Sequence, residues 1–286
     1  MSQQAVLNQD QIDYWNGEAG ASWTRNQERV DRFLAPITAK VLDAAKPAKG
    51  EAILDIGCGC GETTLALAEA AGPAGRVTGV DISAPMLERA RERAAAKGLA
   101  PEFIKADAAS HDFAPGSFDL VFSRFGVMFF DEPAAAFANI RKGMKKGSRL
   151  SFVCWREAKE NDWVFRPLVA ALPHITPPEP PAPGTPGPFA FADEGHVRGL
   201  LEKAGFEKIH LDPLDIDLTM AEGGRDMLDQ SIDFVLEIGP VARALKSEDE
   251  AVKEKVIGAV REELAKFETA KGLVLKGACW IVSART

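Results

Sequence analysis

Short apolar runs alternate with amphipathic stretches along much of the chain. Five runs have the length and composition of buried strands, at residues 52–54, 76–82, 102–108, 117–125 and 149–155. Between the runs the chain predicts helices from residue 62, over 84–97 and over 131–144, which would serve as crossover helices. This alternation of strand and helix predicts a parallel sheet and therefore an α/β fold.

The two ends of the chain follow other patterns. Residues 8–45 predict helices, and Tyr14, Trp15 and Trp23 are dense for a surface segment. Beyond Trp155 the predicted order is helix, proline-rich tract, helix, sixth strand, two helices and a final strand, at residues 161–171, 177–188, 193–205, 206–211, 225–246, 248–271 and 273–284. The proline-rich tract cannot be regular helix or central strand. It fits a stiff linker, a lid loop or a polyproline ligand for a partner.

A glycine-rich turn links the first strand to the first crossover helix. Gly57, Gly59 and Gly61 stand on alternate positions, so the backbone can turn sharply and approach a ligand closely. The following helix directs its amide-rich end toward whatever lies over the turn. The GxGxG spacing differs from the GxGxxG of dinucleotide sites. Asp55, at the strand end, would repel a pyrophosphate and suits a cationic ligand such as the sulfonium and ammonium of S-adenosylmethionine.

The motif at residues 53–61 resembles the first motif of class I S-adenosylmethionine-dependent methyltransferases, (hydrophobic)-D-x-G-x-G-x-G. With Phe-Asp-Leu-Val-Phe at 118–122, the chain is most similar to the quinone-biosynthesis branch of small-molecule methyltransferases. The resemblance covers residues 50–155 and the last strand. It implies a Rossmann-like sheet of seven strands with helices on both faces, the last strand lying antiparallel between the fifth and sixth.

The same resemblance divides the chain into four segments. Residues 1–50 would form a helical lid, although their aromatic residues could instead pin the helices to the core. Residues 51–155 would bind S-adenosylmethionine, 156–272 would form a substrate cap with the sixth strand, and 273–286 would complete the sheet. The cap is where substrate pockets diverge, so the resemblance does not identify the acceptor.

Acidic residues end three successive predicted strands, at Asp55, Asp81 and Asp107. Open α/β sheets bind ligands at that edge. The resemblance implies that Asp81 binds the ribose and Asp107 the adenine amino group, although Asp81 could instead cap a helix. It places the other cofactor contacts at Gly57, Cys58, Gly59, Gly61, Thr63, Thr64, Ile82, Met86, Ala106, Ala108, Ser123, Arg124 and Phe125.

The resemblance places the methyl acceptor beside the end of the fourth strand. Aromatic residues are the candidates for its pocket, with core packing as the alternative: Trp15, Trp23, Phe129, Trp155 and Trp163. A neutral alcohol or phenol would need a base within hydrogen-bonding reach. Tyr14, His174 and His196 are the candidates, although a lone histidine is more often structural.

Composition narrows the function further. The chain has 286 residues and a formal charge of −8, which argues against non-specific nucleic-acid binding. Four cysteines without CxxC or histidine spacing fit a reducing compartment and predict no metal site. We find no signal segment and no apolar run of membrane-spanning length, and expect a cytoplasmic monomer or homodimer.

Three functions remain open from the sequence. The first is methyl transfer to a small, apolar or aromatic molecule by in-line displacement. The second is a protein that hydrolyses or only senses S-adenosylmethionine. The third, a nicotinamide-dependent oxidoreductase, is disfavoured by the GxGxG spacing and by Asp55.

Overall fold

The computed structural model describes residues 8–177, 182 and 184–286, and a mixed sheet lies at its centre. The strands are β1 (Ala52–Ile56), β2 (Arg76–Asp81), β3 (Glu102–Lys105), β4 (Phe118–Arg124), β5 (Met144–Trp155), β6 (Glu207–Glu222), β7 (Glu268–Thr269) and β8 (Gly272–Arg285). Seven of them follow the order β3-β2-β1-β4-β5-β8-β6, and β7 pairs with β8 beside this path. The predicted α/β sheet is confirmed.

The first five strands run parallel, and the last one inserts against them. Strand β1 pairs in parallel with both β2 and β4, so their carboxyl ends meet at one edge of the sheet. Strand β8 runs antiparallel to both β5 and β6 and lies between them. This is the position that the family resemblance predicts.

Helices flank the sheet on the segments between and around the strands. They are α1 (Gln9–Asn16), α2 (Glu18–Arg25), α3 (Gln27–Ala45), α4 (Glu62–Ala71), α5 (Ala84–Lys97), α6 (Pro133–Gly143), α7 (Asp162–Ala171), α8 (Glu194–Lys203), α9 (Met227–Glu237), α10 (Pro240–Ala244) and α11 (Glu250–Leu264). Helix α3 belongs to the core, since its Ile37 and Val41 are fully buried. No helix in the described part of the chain is long and apolar enough to span a bilayer.

The segment before the last strand differs from its prediction. The sixth strand continues from 211 to Glu222 through Pro213. Proline is tolerated there because β6 is the edge strand of the sheet. The helix expected over 225–246 is broken at Gly239, whose φ is +107°, and the following Pro240 begins a new helix.

The second helix of that segment is also shorter than expected. Helix α11 stops at Leu264, and the chain then forms a 3-10 turn and the two-residue strand β7. Strand β7 pairs with the start of β8 as a hairpin. Part of the proline-rich tract, residues 178–181 and 183, lies outside the described residues, as do residues 1–7 of the expected lid.

Candidate functional site

The glycine turn after β1 fits closely against the loop after β4. Gly57, Gly59 and Gly61 all have positive φ values, at +66°, +52° and +84°. A Cβ on Gly57 would lie 2.6 Å from the Cα of Gly126, and a Cβ on Gly59 would lie 2.9 Å from the Met86 side chain. Glycine at these positions lets the turn, here called the glycine cradle, pack directly against Gly126 and Met86.

Asp55 lies beneath the turn, where the sequence led us to expect a direct ligand. Its carboxylate is fully buried and accepts hydrogen bonds from Thr63 Oγ1 at 2.7 Å and Thr64 Oγ1 at 2.6 Å. The other oxygen, Oδ1, is buried with no partner in the described structure. Burial raises the pKa of Asp55 to about 6, although the threonine bonds favour the charged form. Asp55 therefore supports the turn from below.

Asp81 ends β2 at the same edge of the sheet and lines the cavity described below. Its two oxygens accept hydrogen bonds from the backbone N–H groups of Gly59 and Ser83, both at 2.8 Å. Desolvation raises the pKa of Asp81, while these N–H donors oppose the rise. The carboxylate joins the glycine turn to the start of α5 and retains lone pairs for a ligand.

Asp107 follows β3, and each of its carboxylate oxygens accepts a hydrogen bond. Its Oδ1 accepts the Ala109 N–H at 2.9 Å, and its Oδ2 accepts the side-chain amide of Asn8 at 2.9 Å. Asn8 also accepts from the backbone N–H of Asp131 at 2.7 Å. The N-terminal segment therefore reaches the edge of the sheet where Asp81 and Asp107 lie.

One cavity of about 210 Å³ opens between the sheet edge, the N-terminal helices and the segment around α7 to α10. The predicted cofactor residues that line it are Gly57, Gly59, Asp81, Ile82, Met86, Ala106, Asp107, Ala108, Arg124 and Phe125. All five predicted substrate residues line it as well: Trp15, Trp23, Phe129, Trp155 and Trp163. The structure thus brings most of the predicted residues together.

Six predicted cofactor residues do not line this cavity: Asp55, Cys58, Gly61, Thr63, Thr64 and Ser123. The two threonines are occupied with Asp55. Ser123 Oγ donates to the Ile56 carbonyl at 2.8 Å and accepts the Gly126 N–H, so it joins the two loops beneath the cavity. These residues lie beneath the cavity and do not line it, and their direct contact with a cofactor stays a prediction.

The cysteines do not have the environment of nucleophiles. All four are free and buried. Burial raises the pKa of Cys58 well above its usual value and that of Cys60 to about 11. Protonated, buried thiols are poor nucleophiles, so packing accounts for them. The described residues contain no cluster of histidine, cysteine and acidic side chains that would hold a metal ion.

The two histidine candidates lie away from the cavity. His174 is exposed in a 3-10 turn after α7, and His196 is exposed in the first turn of α8. Neither lines the cavity, so the structure does not support them as bases. Tyr14 does line it, at the mouth. Its hydroxyl accepts a hydrogen bond of 3.3 Å from Arg243, whose guanidinium also lies 5.5 Å from the Tyr14 ring.

Phe125 has an unusual backbone conformation at the end of β4. Its φ is +66°, which a bulky side chain adopts rarely and at a cost. The Phe125 ring stacks on Trp155, with centroids 4.3 Å apart and planes at 10°. This contact holds the strained residue in the wall of the cavity, directly before Gly126, which abuts the glycine turn.

Arg124 is tied to the N-terminal helices. Its Nη1 donates to Thr38 Oγ1 at 2.8 Å, and its Nη2 lies 3.7 Å from Asp31. Asp31 also pairs with Arg93 at 2.9 Å, and Arg93 pairs with Glu62 at the start of α4. This largely buried ion network fixes α3 against the strand end and the glycine turn.

Several lining residues escaped sequence reasoning. Except for Pro188, at the end of the proline-rich tract, they come from segments without a motif: Asn8, Gln11, Phe33, Phe189, Phe234, Pro240 and Arg243. Phe33 and Phe234 carried the apolar pattern of core residues, and their rings lie 5.1 Å apart. No local sequence pattern identifies Arg243 as a site residue. It lies at the cavity because the helix breaks at Gly239 and a new helix, α10, begins.

Known proteins match the sheet core of this chain, and some of the matches extend over most of its length. Residues 53–147 match the methyltransferase domain family. Nocamycin O-methyltransferase from Saccharothrix syringae is 30% identical over 195 residues, which cover 65% of this chain and 70% of that protein. Demethylmenaquinone methyltransferase from Thermus thermophilus is 36% identical over 111 residues, covering 39% of this chain and 50% of the relative.

A solved structure extends the likeness of fold to the whole chain. Phosphoethanolamine N-methyltransferase 2 from Haemonchus contortus, in complex with S-adenosylmethionine, has a TM-score of 0.59 at 18% identity. The match covers 100% of this chain and 61% of that one. At this identity the likeness concerns the fold.

Proposed function

Because the chain belongs to the class I S-adenosylmethionine-dependent methyltransferases, we propose that its cavity brings the methyl group of S-adenosylmethionine to a small apolar or aromatic acceptor. The observation that carries the proposal is the continuity of one cavity. It joins the strand-end acids Asp81 and Asp107 to an aromatic wall that includes Trp155 and Trp163.

The residues present fit the cofactor. The backbone of the glycine cradle lines the cavity at Gly57 and Gly59, because no side chain there separates it from a ligand. Asp81 and Asp107 retain acceptor lone pairs, which suit the ribose hydroxyls and the adenine amino group. The unpartnered Oδ1 of Asp55 places negative charge beneath the turn and suits a cationic ligand above it. When bound, S-adenosylmethionine supplies a methyl group activated by its sulfonium.

The chain's own residues would orient the acceptor and exclude water. The acceptor nucleophile must be aligned behind the methyl carbon, and positioning of this kind supplies several kcal/mol of rate enhancement. Phe125 and Trp155 form a rigid stacked surface at the strand end. Phe129 meets Trp15 edge to face at 5.4 Å, which closes the wall toward the N-terminal helices. A dry aromatic pocket also suits a transition state in which the sulfonium charge disperses.

We assign the covering of the cavity to two segments. The lid comprises residues 8–26, because α3 belongs to the core, and it is fixed to the core through Asn8 and through Ser83, whose hydroxyl donates to the Trp15 carbonyl at 2.7 Å. Residues 156–272 form the cap. Lid and cap meet where Ser22 donates to the Glu237 carbonyl at 3.3 Å.

The test is calorimetric titration of S-adenosylmethionine into a matched pair of variants, Gly57→Ala and Gly98→Ala. Both glycines have a φ of +66°, so both variants carry the same backbone strain. A Cβ at Gly98 meets nothing within 4 Å, whereas at Gly57 it collides with the backbone of Gly126. We expect Gly57→Ala to weaken binding at least about tenfold, or about 1.4 kcal/mol, and Gly98→Ala to leave it unchanged.

Two outcomes would contradict the proposal. Equal affinity in the two variants would show that the cofactor lies away from the glycine cradle. Binding of a nicotinamide dinucleotide in place of S-adenosylmethionine would favour the oxidoreductase. Product analysis then separates transfer from hydrolysis, because transfer leaves a methylated acceptor for every S-adenosylhomocysteine formed.

A further inference from the structure

We propose that the methyl acceptor is an aromatic carboxylate, held by Arg243 and already ionised when it reacts. The proposal rests on the proposed function and names the substrate class of the same cavity. It depends on three features of the described residues. The cavity has an apolar aromatic wall, and it has hydrogen-bond donors on the side away from Asp81 and Asp107, here called the acceptor side. No described group on the acceptor side is placed to remove a proton.

The aromatic wall of the cavity suits a flat, apolar ligand. Trp163 lies between Trp155 and Phe33, with ring centroids at 5.0 Å and 5.3 Å, and its indole meets the latter edge to face. Trp15 packs edge to face on both Trp23 and Phe129 on the lid side. Rings arranged in this way present faces and edges to a bound aromatic molecule.

Two of the polar side chains that line the cavity, Arg243 and Trp163, are hydrogen-bond donors. Arg243 lines the mouth and has no acidic side chain within 4.0 Å among the described residues. Within the described residues its side chain donates one hydrogen bond, of 3.3 Å to the Tyr14 hydroxyl, which leaves most of its five N–H groups available. The Nε1–H of Trp163 is buried and has no partner in the described structure. Unpaired donors call for a ligand with acceptor oxygens.

The acids of the cavity lie on the other side, at the strand ends. Asp81 is held by the N–H groups of Gly59 and Ser83, and Asp107 by Ala109 and the Asn8 amide. His174 and His196 are outside the cavity. Tyr14 accepts a hydrogen bond from Arg243, so its own proton is free to be donated. Within the described residues, the acceptor side therefore lacks a placed base.

An ionised carboxylate needs no base. One carboxylate oxygen forms a bond to the methyl carbon while the carbon–sulfur bond breaks, and that bond's electron pair remains on sulfur. The carboxylate loses its charge and becomes a methyl ester, and the sulfonium becomes a neutral thioether. No proton is transferred. Arg243 would therefore act as a binding residue that positions the anion.

The experiment measures the binding of 2-naphthoate and of its neutral analogue 2-naphthamide by calorimetry, with S-adenosylhomocysteine present. We expect the wild-type protein to bind the carboxylate at least about fivefold more tightly than the amide. The substitution Arg243→Gln should remove that preference and leave the affinity for the amide within about twofold. Raised salt should weaken the carboxylate alone, since the mouth is exposed.

Arg261→Gln is the matched control, because Arg261 is an exposed arginine of α11 paired with Asp229, outside the cavity. It should keep the full preference for the carboxylate. The proposal is overturned if the wild-type protein does not prefer the carboxylate, or if Arg243→Gln weakens both ligands alike. Failure of the proposed function would appear separately, as loss of S-adenosylmethionine binding in the glycine-variant titrations.

Discussion

At the scale of single residues, Asp55 combines full burial with one satisfied and one unpartnered oxygen. Its pKa of about 6 lies above the value of about 3.9 expected in the unfolded chain. The native state therefore holds this proton over a pH range in which the unfolded state has released it. A raised carboxyl pKa stabilises the fold below the unfolded value, and that contribution is lost as the pH rises to the native value.

Asp55→Asn should remove this pH dependence. We expect the free energy of unfolding of the wild-type protein, relative to the variant, to fall by about 2 kcal/mol between pH 4 and pH 6.5. Asparagine keeps one oxygen for Thr63 and Thr64 and cannot ionise. The measurement is denaturant unfolding of both proteins without cofactor at several pH values. A constant difference between the two across that range would show that Asp55 titrates normally.

The place of two strand-end acids beside the cavity could be predicted from the sequence, because chemistry and topology agree there. Asp81 and Asp107 follow strands, and parallel strands bring such residues to one edge. Asp55 follows a strand too, but the next helix begins with Thr63 and Thr64, whose hydroxyls turn back to it. Arg243 could not have been found, because its place depends on a helix break and on the aromatic ring of Tyr14 across the mouth.

At the scale of elements, α1 is fixed to the core at both of its ends. Asn8 joins Asp107 and Asp131 at the first end. At the other end, Asn16 donates to the Ile82 carbonyl at 2.9 Å and accepts from the Ala84 N–H at 3.0 Å. Both anchors lie beside the acids that we assign to the cofactor. Opening of α1 would therefore expose the cofactor side of the cavity.

Asn8→Gly should loosen the first anchor without new backbone strain, because Asn8 has a φ of +60° that glycine adopts freely. We expect faster amide exchange in residues 9–16 and weaker S-adenosylmethionine binding by about 1–2 kcal/mol, the range for two lost hydrogen bonds. Hydrogen exchange and calorimetry measure the two effects. Gln9→Ala is the control, since its side chain contacts only Asp13 in the described structure. Unchanged exchange in α1 would rule out Asn8 as an anchor.

Elements with a strong period were predictable, and those set by long-range contacts were not. The five strands of the parallel region and the helices between them follow local patterns of the sequence. The extension of β6 to Glu222 depends on its pairing with β8, whose residues lie 50 or more positions further along the chain. Considered alone, Pro213 predicts the end of a strand. The strand continues because β6 lies at the edge of the sheet, where proline is tolerated.

At the scale of the whole molecule, the cavity is shared by three parts of the chain. The core supplies Asp81 and Asp107, the lid supplies Asn8 and Tyr14, and the cap supplies Arg243. The lid is the part in contact with both sides, because Asn8 binds Asp107 and Tyr14 meets Arg243. A ligand that orders the lid on one side reduces the ordering cost for a ligand on the other.

The two ligands should therefore bind with positive coupling. We expect S-adenosylhomocysteine to tighten the binding of 2-naphthoate about five- to tenfold, a coupling free energy of about 1–1.4 kcal/mol, and 2-naphthoate to tighten S-adenosylhomocysteine by the same factor. Calorimetric titration of each ligand with and without the other gives both factors, and their equality is an internal check. Asn8→Gly should bring both below about twofold, since the loosened lid no longer connects the two sides. Equal affinities with and without the partner in the wild-type protein would mean that the lid covers the cavity without coupling its two halves.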